Sequence, residues 1–324
     1  YDAALAERSR DGWLWSQALR RLAQVQAQVG EFAEARQLAE QALRRAMGEN
    51  QEALAELALA HVDALEDRLE PALEHVERAL ATLRRTDEPR AGVLAYAELL
   101  RGRLWRSAGL HQRALGAIQR AVLLARRAGE RRLEAEALAR RGGLLLDLDR
   151  PLLARNELVD AKLLSDEIED RRGQVLSTLW LGLLEAEEGD ARARASLERA
   201  VELARDIAFY RAEAVSLALL ARLLRLAGDS ARAERESALA LELVARHGAE
   251  LCDRIVIAGT HALLLGELGR TKERKRVLEE LEQRTRASHK ALRQRELAEA
   301  QAGYAERLLA AALSPEGPIF PRRK

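Results

Sequence analysis

Two pairs of arginines in this sequence have a spacing that suits anion binding. Arg103 and Arg106 are three residues apart, and so are Arg222 and Arg225. Residues three apart lie on the same face of a helix, so the two guanidinium groups of a pair can converge on one carboxylate or phosphate group. The chemistry that these residues indicate is therefore recognition of an acidic ligand.

No group of residues has the spacing of a catalytic or cofactor-binding motif. The six histidines are scattered along the chain, and a single cysteine, Cys252, leaves no zinc-ligand spacing. The sequence also contains no glycine-rich phosphate-binding motif. We therefore expect no catalytic residue, no cofactor and no metal in this chain, and we expect Cys252 to be a buried, inert thiol.

Composition excludes several classes of protein. The 324 residues are 48% hydrophobic and 32% charged, which is ample apolar material for a core. The net charge is +1, so no overall field attracts the chain to nucleic acid or to an anionic membrane. No apolar run reaches the roughly 20 residues of a membrane span, and a single cysteine excludes an internal disulfide and indicates a reducing compartment. These features favour a cytoplasmic protein.

One pattern recurs seven times along the chain. A small residue is followed by an aliphatic residue two positions later and by a glycine or aspartate seven positions later. The small residues are Ala23, Ala60, Gly102, Gly142, Gly182, Ala221 and Ala262, and the turn residues are Gly30, Asp67, Gly109, Asp149, Gly189, Gly228 and Gly269. Successive turn residues are 37 to 42 positions apart, and a period near 40 indicates stacked repeats rather than one closed core.

Each repeat predicts two helices joined at the turn residue, because a small side chain lets two helix backbones approach closely. The predicted fold is all-α: a right-handed α-α superhelix of about seven helix pairs with a C-terminal capping helix. The predicted organisation is the end of a preceding helix or unit in residues 1–12, the repeat array in 13–283, the capping helix in 284–313 and a disordered tail in 314–324. Because the sequence begins at Tyr1, we expect a further domain upstream in the same polypeptide.

The motif resembles the tetratricopeptide repeat (TPR). The resemblance rests on the small residues, on the Gly-Asp turns at 189–190 and 228–229, and on the Gly-Glu-Phe turn at 30–32, and it covers residues 13–282. The TPR unit has 34 residues, whereas units of about 40 with linkers such as Gly-Glu-Arg-Arg at 129–132 resemble the sensor regions of bacterial signalling proteins of the MalT and STAND type. HEAT repeats, which share this period, are the structural alternative.

The resemblance implies that the first helix of each pair lines an inner groove, at positions 13, 10, 6, 3 and 2 residues before each turn. The partner-binding residues predicted from these positions are Tyr96, Leu99, Arg103, Arg106, Glu136, Arg222 and Arg225. Two alternatives remain at this point: the C-terminal helix of the chain fills the groove, or the groove is merely solvated. The Gly142-Gly143 pair indicates either close helix packing or a close contact between backbone and ligand.

The function predicted from the sequence is a non-catalytic scaffold that binds a protein or peptide, as the sensor or docking part of a larger bacterial signalling protein. The alternative is a repeat region that senses a small effector and controls an upstream ATPase, kinase or cyclase domain. Nucleic acid is not an expected partner, because the basic cluster at 270–276 lacks aromatic side chains that could stack on bases.

Overall fold

A computed structural model describes the backbone of residues 2–315 and the side chains of residues 14–294 and 296–315. This part of the chain folds into fifteen helices without a strand. The helices are α1 (Asp2–Val29), α2 (Phe32–Arg44), α3 (Glu49–Leu65), α4 (Leu69–Arg85), α5 (Ala91–Ser107), α6 (His111–Ala128), α7 (Arg131–Asp147), α8 (Pro151–Glu167), α9 (Arg171–Glu187), α10 (Ala193–Asp206), α11 (Tyr210–Leu226), α12 (Ser230–His247), α13 (Leu251–Glu267), α14 (Thr271–Ala291) and α15 (Arg295–Leu313).

The first fourteen helices form seven antiparallel pairs, α1/α2 to α13/α14, and the predicted TPR-like superhelix is confirmed. We call the first helix of each pair helix A and the second helix B. Helix A of each pair packs on its own helix B and on helix A of the next pair, so the A helices form the inner layer. All seven predicted turn residues adopt the left-handed conformation, with φ between 55° and 93°. Glycine adopts this conformation without steric cost, and aspartate tolerates it better than most residues.

The small residues of helix A allow the paired helices to pack closely, as their size predicts. A Cβ atom at Gly142 would lie 2.5 Å from Leu158 Cδ2, and one at Gly182 would lie 2.9 Å from Leu197 Cδ2. Both leucines belong to the paired helix B, so the glycine permits the close approach of the two helices. Gly143 packs in the same way against Trp180 of the next helix A. Close packing therefore explains the Gly142-Gly143 pair, and α7 passes through it without a break.

Two predicted boundaries differ from the structure. Residues 2–12 do not end an earlier helix, since they are continuous with α1. The capping helix does not begin at residue 284, because α14 continues to Ala291 and the chain breaks only at residues 292–294, before α15. The polar, helix-favouring sequence of this stretch gives no signal for that break. Most of the predicted tail, residues 316–324, lies outside the described residues.

The superhelix closes on itself, because the junction between α12 and α13 contacts the first two turns. Gly30 packs against the carbonyl oxygen of Arg246, and a Cβ atom at Gly248 would lie 2.7 Å from the carbonyl oxygen of Leu65. A side chain at either glycine would therefore collide with backbone. An ion pair between Arg254 and Asp67, at 3.0 Å, joins the same regions.

Helix α15 lies on the inner layer rather than only at the end of the stack. Leu297 belongs to the core cluster formed by residues 53–108, whereas Tyr304 and Leu308 belong to a cluster formed by residues 145–281. One helix therefore contacts several pairs. No helix in residues 2–315 has both the length and the apolar character that a membrane span needs.

Candidate functional site

A cavity of about 450 Å³ opens on the part of the inner surface that α15 leaves uncovered. We call it the inner chamber. Its walls come from five consecutive A helices, α1 to α9. The polar side chains that line it include Arg20, His61, Tyr96, Arg103, Glu136 and Arg172. A smaller cavity of about 40 Å³ shares His61, Arg103 and Arg172 with it and continues towards α11.

Ion pairs that cross the superhelix form one side of the chamber. Arg103 Nη2 of α5 donates to Glu250 Oε1, at 2.6 Å, although the two residues belong to pairs three and seven. Arg211 Nη1 donates to the same oxygen at 2.5 Å. Burial alone would raise the pKa of Glu250, but the charges of Arg211 and Arg103 hold that pKa far below its usual range. Glu250 is therefore ionised, and it links α5 and α11 at the centre of the superhelix.

Glu136 forms a second ion-pair group at the chamber wall. Its carboxylate lies 3.3 Å from Arg140 Nη2 and 3.6 Å from Arg172 Nε. Burial opposes ionisation here too, but the charges of Arg172 and Arg140 lower the pKa of Glu136 to about 2. A contact with Phe209 also positions Arg172, whose guanidinium carbon lies over the ring at 4.1 Å from its centroid. These side chains are held in place before any ligand arrives.

Three polar groups of the chamber have no such partner among the described residues. No acceptor there pairs with the Arg20 guanidinium or with the Tyr96 hydroxyl group, and His61 Nδ1 is buried without a hydrogen bond. Burial and the nearby charges of Arg103 and Arg172 lower the pKa of His61 to about 3. His61 is therefore neutral at physiological pH, and its imidazole can donate one hydrogen bond and accept another.

The other part of the inner surface is covered by α15. Arg222 Nη1 donates to the carbonyl oxygens of Ala311 and Ala312, at 3.2 and 3.0 Å, and its Nη2 donates to that of Ser314, at 3.1 Å. These carbonyl groups lie at the C-terminal end of α15, where the last carbonyl groups of a helix lack the usual donors of a following turn. Burial lowers the pKa of Arg222 to about 10, so this side chain stays charged and caps α15.

The structure divides the seven predicted partner-binding residues into two sets. Tyr96, Arg103 and Glu136 line the inner chamber. The other four residues contact the chain itself and do not face an open groove: Leu99, Arg106, Arg222 and Arg225.

The predicted convergence of arginine pairs on one external anion is corrected by these contacts. Arg106 donates to Asp147 at 2.6 Å, whereas Arg103 turns to Glu250. Arg225 donates to Glu267 at 2.8 Å, whereas Arg222 holds α15. Members of one pair therefore have different acidic or carbonyl partners within the chain.

Several chamber residues were not predicted as partner-binding. His61 lies six residues before its turn residue, as Arg103 does. Its position in the repeat could therefore have identified it as an inward-facing residue. Arg172 and Arg211 lie one helical turn before the first predicted inner position, and extending the register by four residues would have found them. Arg20 occupies a predicted inner position, ten residues before its turn.

A cluster of Glu250, Cys252 and Asp253 has ligand atoms within 4.8 Å of one another. The two carboxylates, however, accept hydrogen bonds from Arg103 and Arg211. Burial and the charge of Asp253 raise the pKa of the Cys252 thiol above its usual value, so it is protonated. A metal would have to displace guanidinium groups and a proton, so the arrangement favours ion pairing over metal binding.

The chain resembles several solved structures in fold. A Rap protein complexed with competence and sporulation factor has 16% identity and a TM-score of 0.67, over 90% of this chain and 80% of that one. The Rap conjugation gene regulator of plasmid pLS20, in complex with the Phr* peptide, has 16% identity and a TM-score of 0.59, over 95% and 98%. NprR in complex with its cognate peptide NprX has 13% identity and a TM-score of 0.54, over 93% and 83%.

At these identities the comparison concerns the fold, which is a TPR-like solenoid in all of them. No protein-family model matches the sequence, and a search of curated proteins found no match. The specific likeness to sensor regions of the MalT type stays a prediction.

Proposed function

We propose that this chain is a non-catalytic scaffold that binds a short peptide in the inner chamber, as the sensor or docking part of a bacterial signalling protein. The observation that carries the proposal is the chamber itself. It is concave, it is lined by five consecutive A helices, and it combines ion-paired side chains with polar groups that have no partner among the described residues. Such convergence of polar groups in a preformed cavity is typical of a binding site.

The similar structures support a peptide as the ligand. Two of the three are complexes with a peptide, and the third contains competence and sporulation factor. Unpartnered side-chain donors and acceptors suit a peptide, because its backbone and ends offer both kinds of group. The side chains of the chamber include no nucleophile next to a general base, which agrees with binding rather than catalysis.

A small effector is the second candidate, and the size of the chamber favours it. About 450 Å³ lies within the range of small-molecule pockets, roughly 300 to 1,000 Å³. In this case the repeats would bind a metabolite and control an ATPase, kinase or cyclase domain of the same polypeptide. The two candidates share the chamber but differ in the ligand.

The test is affinity selection with the purified chain. A pool of random pentapeptides and a mixture of amino acids, organic acids and nucleotides are equilibrated separately with the chain, and retained molecules are identified by mass spectrometry. We expect peptides to be retained and the small molecules not to be. Retention of a small molecule alone would favour the second candidate, and retention of neither would contradict both.

A matched pair of variants locates the site. Leu133 lines the chamber, so Leu133→Trp fills part of it. Leu163 of α8 is 63% exposed on the outer surface, and Leu163→Trp is the control. We expect Leu133→Trp to weaken binding of the retained peptide at least about tenfold and the control to leave it unchanged. Equal binding by both variants would place the peptide outside the chamber.

A further inference from the structure

The charges that line the inner chamber do not balance. Its lining contains four arginines, Arg20, Arg90, Arg103 and Arg172, against Glu130 and Glu136. Arg103 and Arg172 are neutralised by carboxylates of the chain, at 2.6 and 3.6 Å. Arg20 has no such carboxylate among the described residues and is only partly exposed. A partly buried cation without a counter-ion is unfavourable unless a ligand supplies the charge.

Two other groups that line the chamber with Arg20 can donate hydrogen bonds. Tyr96 lies near Arg20 on the chamber wall, and its hydroxyl group has no hydrogen-bond partner among the described residues. The neutral imidazole of His61 can also donate one hydrogen bond. Glu136, the acid that α7 contributes to the lining, is already engaged by two guanidinium groups. The chamber thus has donors for an oxygen-rich anion.

Of the two lining arginines without an ion pair among the described residues, Arg20 is partly buried and Arg90 is exposed, so the buried charge favours a ligand group with a single negative charge. One guanidinium forms two parallel hydrogen bonds with the two oxygens of a carboxylate. A phosphate dianion would bring a second negative charge close to Glu136 and Glu130, and the chamber has no second buried cation for it. A carboxylate therefore fits the local charge better than a phosphate does.

We propose that Arg20, assisted by Tyr96 and His61, binds a carboxylate group of the peptide, either its C-terminus or an acidic side chain. The inference rests on the proposed function, since it specifies a chemical feature of the same ligand. It also moves anion recognition from the two arginine pairs on α5 and α11 to a single arginine on α1. Arg20 then acts as the charge-matching residue of the chamber, and the ion pairs of Arg103 and Glu136 position the walls.

The experiment compares three pools of random pentapeptides. The first has a free C-terminus and no Asp or Glu. The second has an amidated C-terminus and includes Asp and Glu. The third is amidated and lacks acidic residues, so it carries no carboxylate. We expect retention from the first or the second pool and none from the third, and the pool that is retained identifies which carboxylate is bound. Succinate is tested separately as a free small acid.

Variants of two adjacent arginines test the residue. We expect Arg20→Gln to weaken binding of the retained peptide about 10- to 100-fold, as the loss of charged hydrogen bonds predicts. Arg20→Lys keeps the charge but cannot form two parallel hydrogen bonds with a carboxylate, so it should bind the peptide more tightly than Arg20→Gln and less tightly than the unchanged chain. Arg21→Gln is the control, because Arg21 is exposed on another face of α1. It should leave the affinity unchanged.

The outcomes separate this inference from the proposed function. Retention of the third pool, with Arg20→Gln binding as well as the unchanged chain, would overturn the carboxylate inference and leave peptide binding intact. Retention of no peptide pool would overturn both. Binding of succinate without any peptide would assign the carboxylate to a small acid and overturn the peptide part.

Discussion

The inner chamber and the part of the inner surface under α15 are built from the same repeat positions, but the first is open and the second is covered. Arg103 and Arg222 occupy the same repeat position, six residues before their turns. Arg103 lies at the open chamber, where its charge meets Glu250 from across the superhelix. Arg222 lies under α15, where it meets carbonyl groups at the end of that helix. The repeat position determines that a side chain points inward, and it does not determine what the side chain meets.

The difference between the two parts is what covers them. In the covered part, Tyr304 and Leu308 of α15 make apolar contacts with the inner layer. Arg222 there donates hydrogen bonds to carbonyl groups of the same chain. In the chamber, His61 Nδ1 is buried without a hydrogen bond, and Arg20 lines the same cavity. The Tyr304 hydroxyl group is also buried without a hydrogen-bond partner among the described residues, but only the groups of the chamber lie at a cavity that a ligand can enter. The comparison therefore separates structural from functional residues.

The largest expected effect contrasts two tyrosines of the inner surface. Tyr304 of α15 is fully buried against the inner layer, with its ring 4.7 Å from that of His111, so Tyr304→Ala should lower the free energy of unfolding by about 3–5 kcal/mol. Tyr96 faces the chamber, and Tyr96→Ala should cost no more than about 1–2 kcal/mol. Urea denaturation measures both. Equal losses would mean that the chamber is packed as tightly as the covered part.

Removing the arginine that caps α15 should have a smaller effect, localised at one helix end. Arg222→Ala removes the side-chain donor that bonds three carbonyl groups at the end of α15, so we expect a loss of about 1–3 kcal/mol. Amide hydrogen exchange should accelerate in residues 308–313 and not elsewhere. Arg194→Ala is the control, because Arg194 pairs with Glu198 on the exposed face of α10. Unchanged exchange at the end of α15 would show that apolar packing alone holds it.

The chamber should make stability depend on pH through His61. Its folded-state pKa of about 3 lies below the usual 6.5, so between these values the unfolded chain takes up a proton that the folded chain does not. Stability must therefore fall as the pH falls from 7 to 5. His61→Asn should reduce this fall by about 1–2 kcal/mol, as measured by urea denaturation at both pH values. The same pH dependence in the variant would contradict a neutral, buried His61.

The smallest expected effect on stability concerns Arg20. Because no carboxylate among the described residues pairs with it, Arg20→Gln should change the free energy of unfolding by less than about 0.5 kcal/mol. Thermal denaturation of this variant beside Arg21→Gln provides the measurement. A loss of more than about 1 kcal/mol would give Arg20 a structural role and weaken its assignment to a ligand.

Much of the fold followed from local chemistry. The small residues at Gly142 and Gly182 predicted close helix pairs, and the turn residues predicted left-handed backbone. The site followed only in part. Tyr96, Arg103 and Glu136 line the chamber, but Arg106 and Arg225 satisfy acids of the chain instead. Their partners, Asp147 and Glu267, lie about one repeat further along, and nothing in a single repeat indicates which acid will face which arginine.

The sequence by itself determined the repeat, the helix pairs and the inward direction of each register position, because these depend on side-chain size and backbone conformation within about 40 residues. Only the tertiary structure decided which inward positions remain accessible. That depends on the curvature summed over seven pairs, which brings Glu250 beside Arg103, and on the path of α15 across the inner layer. Both are long-range consequences of packing, and no local pattern encodes them.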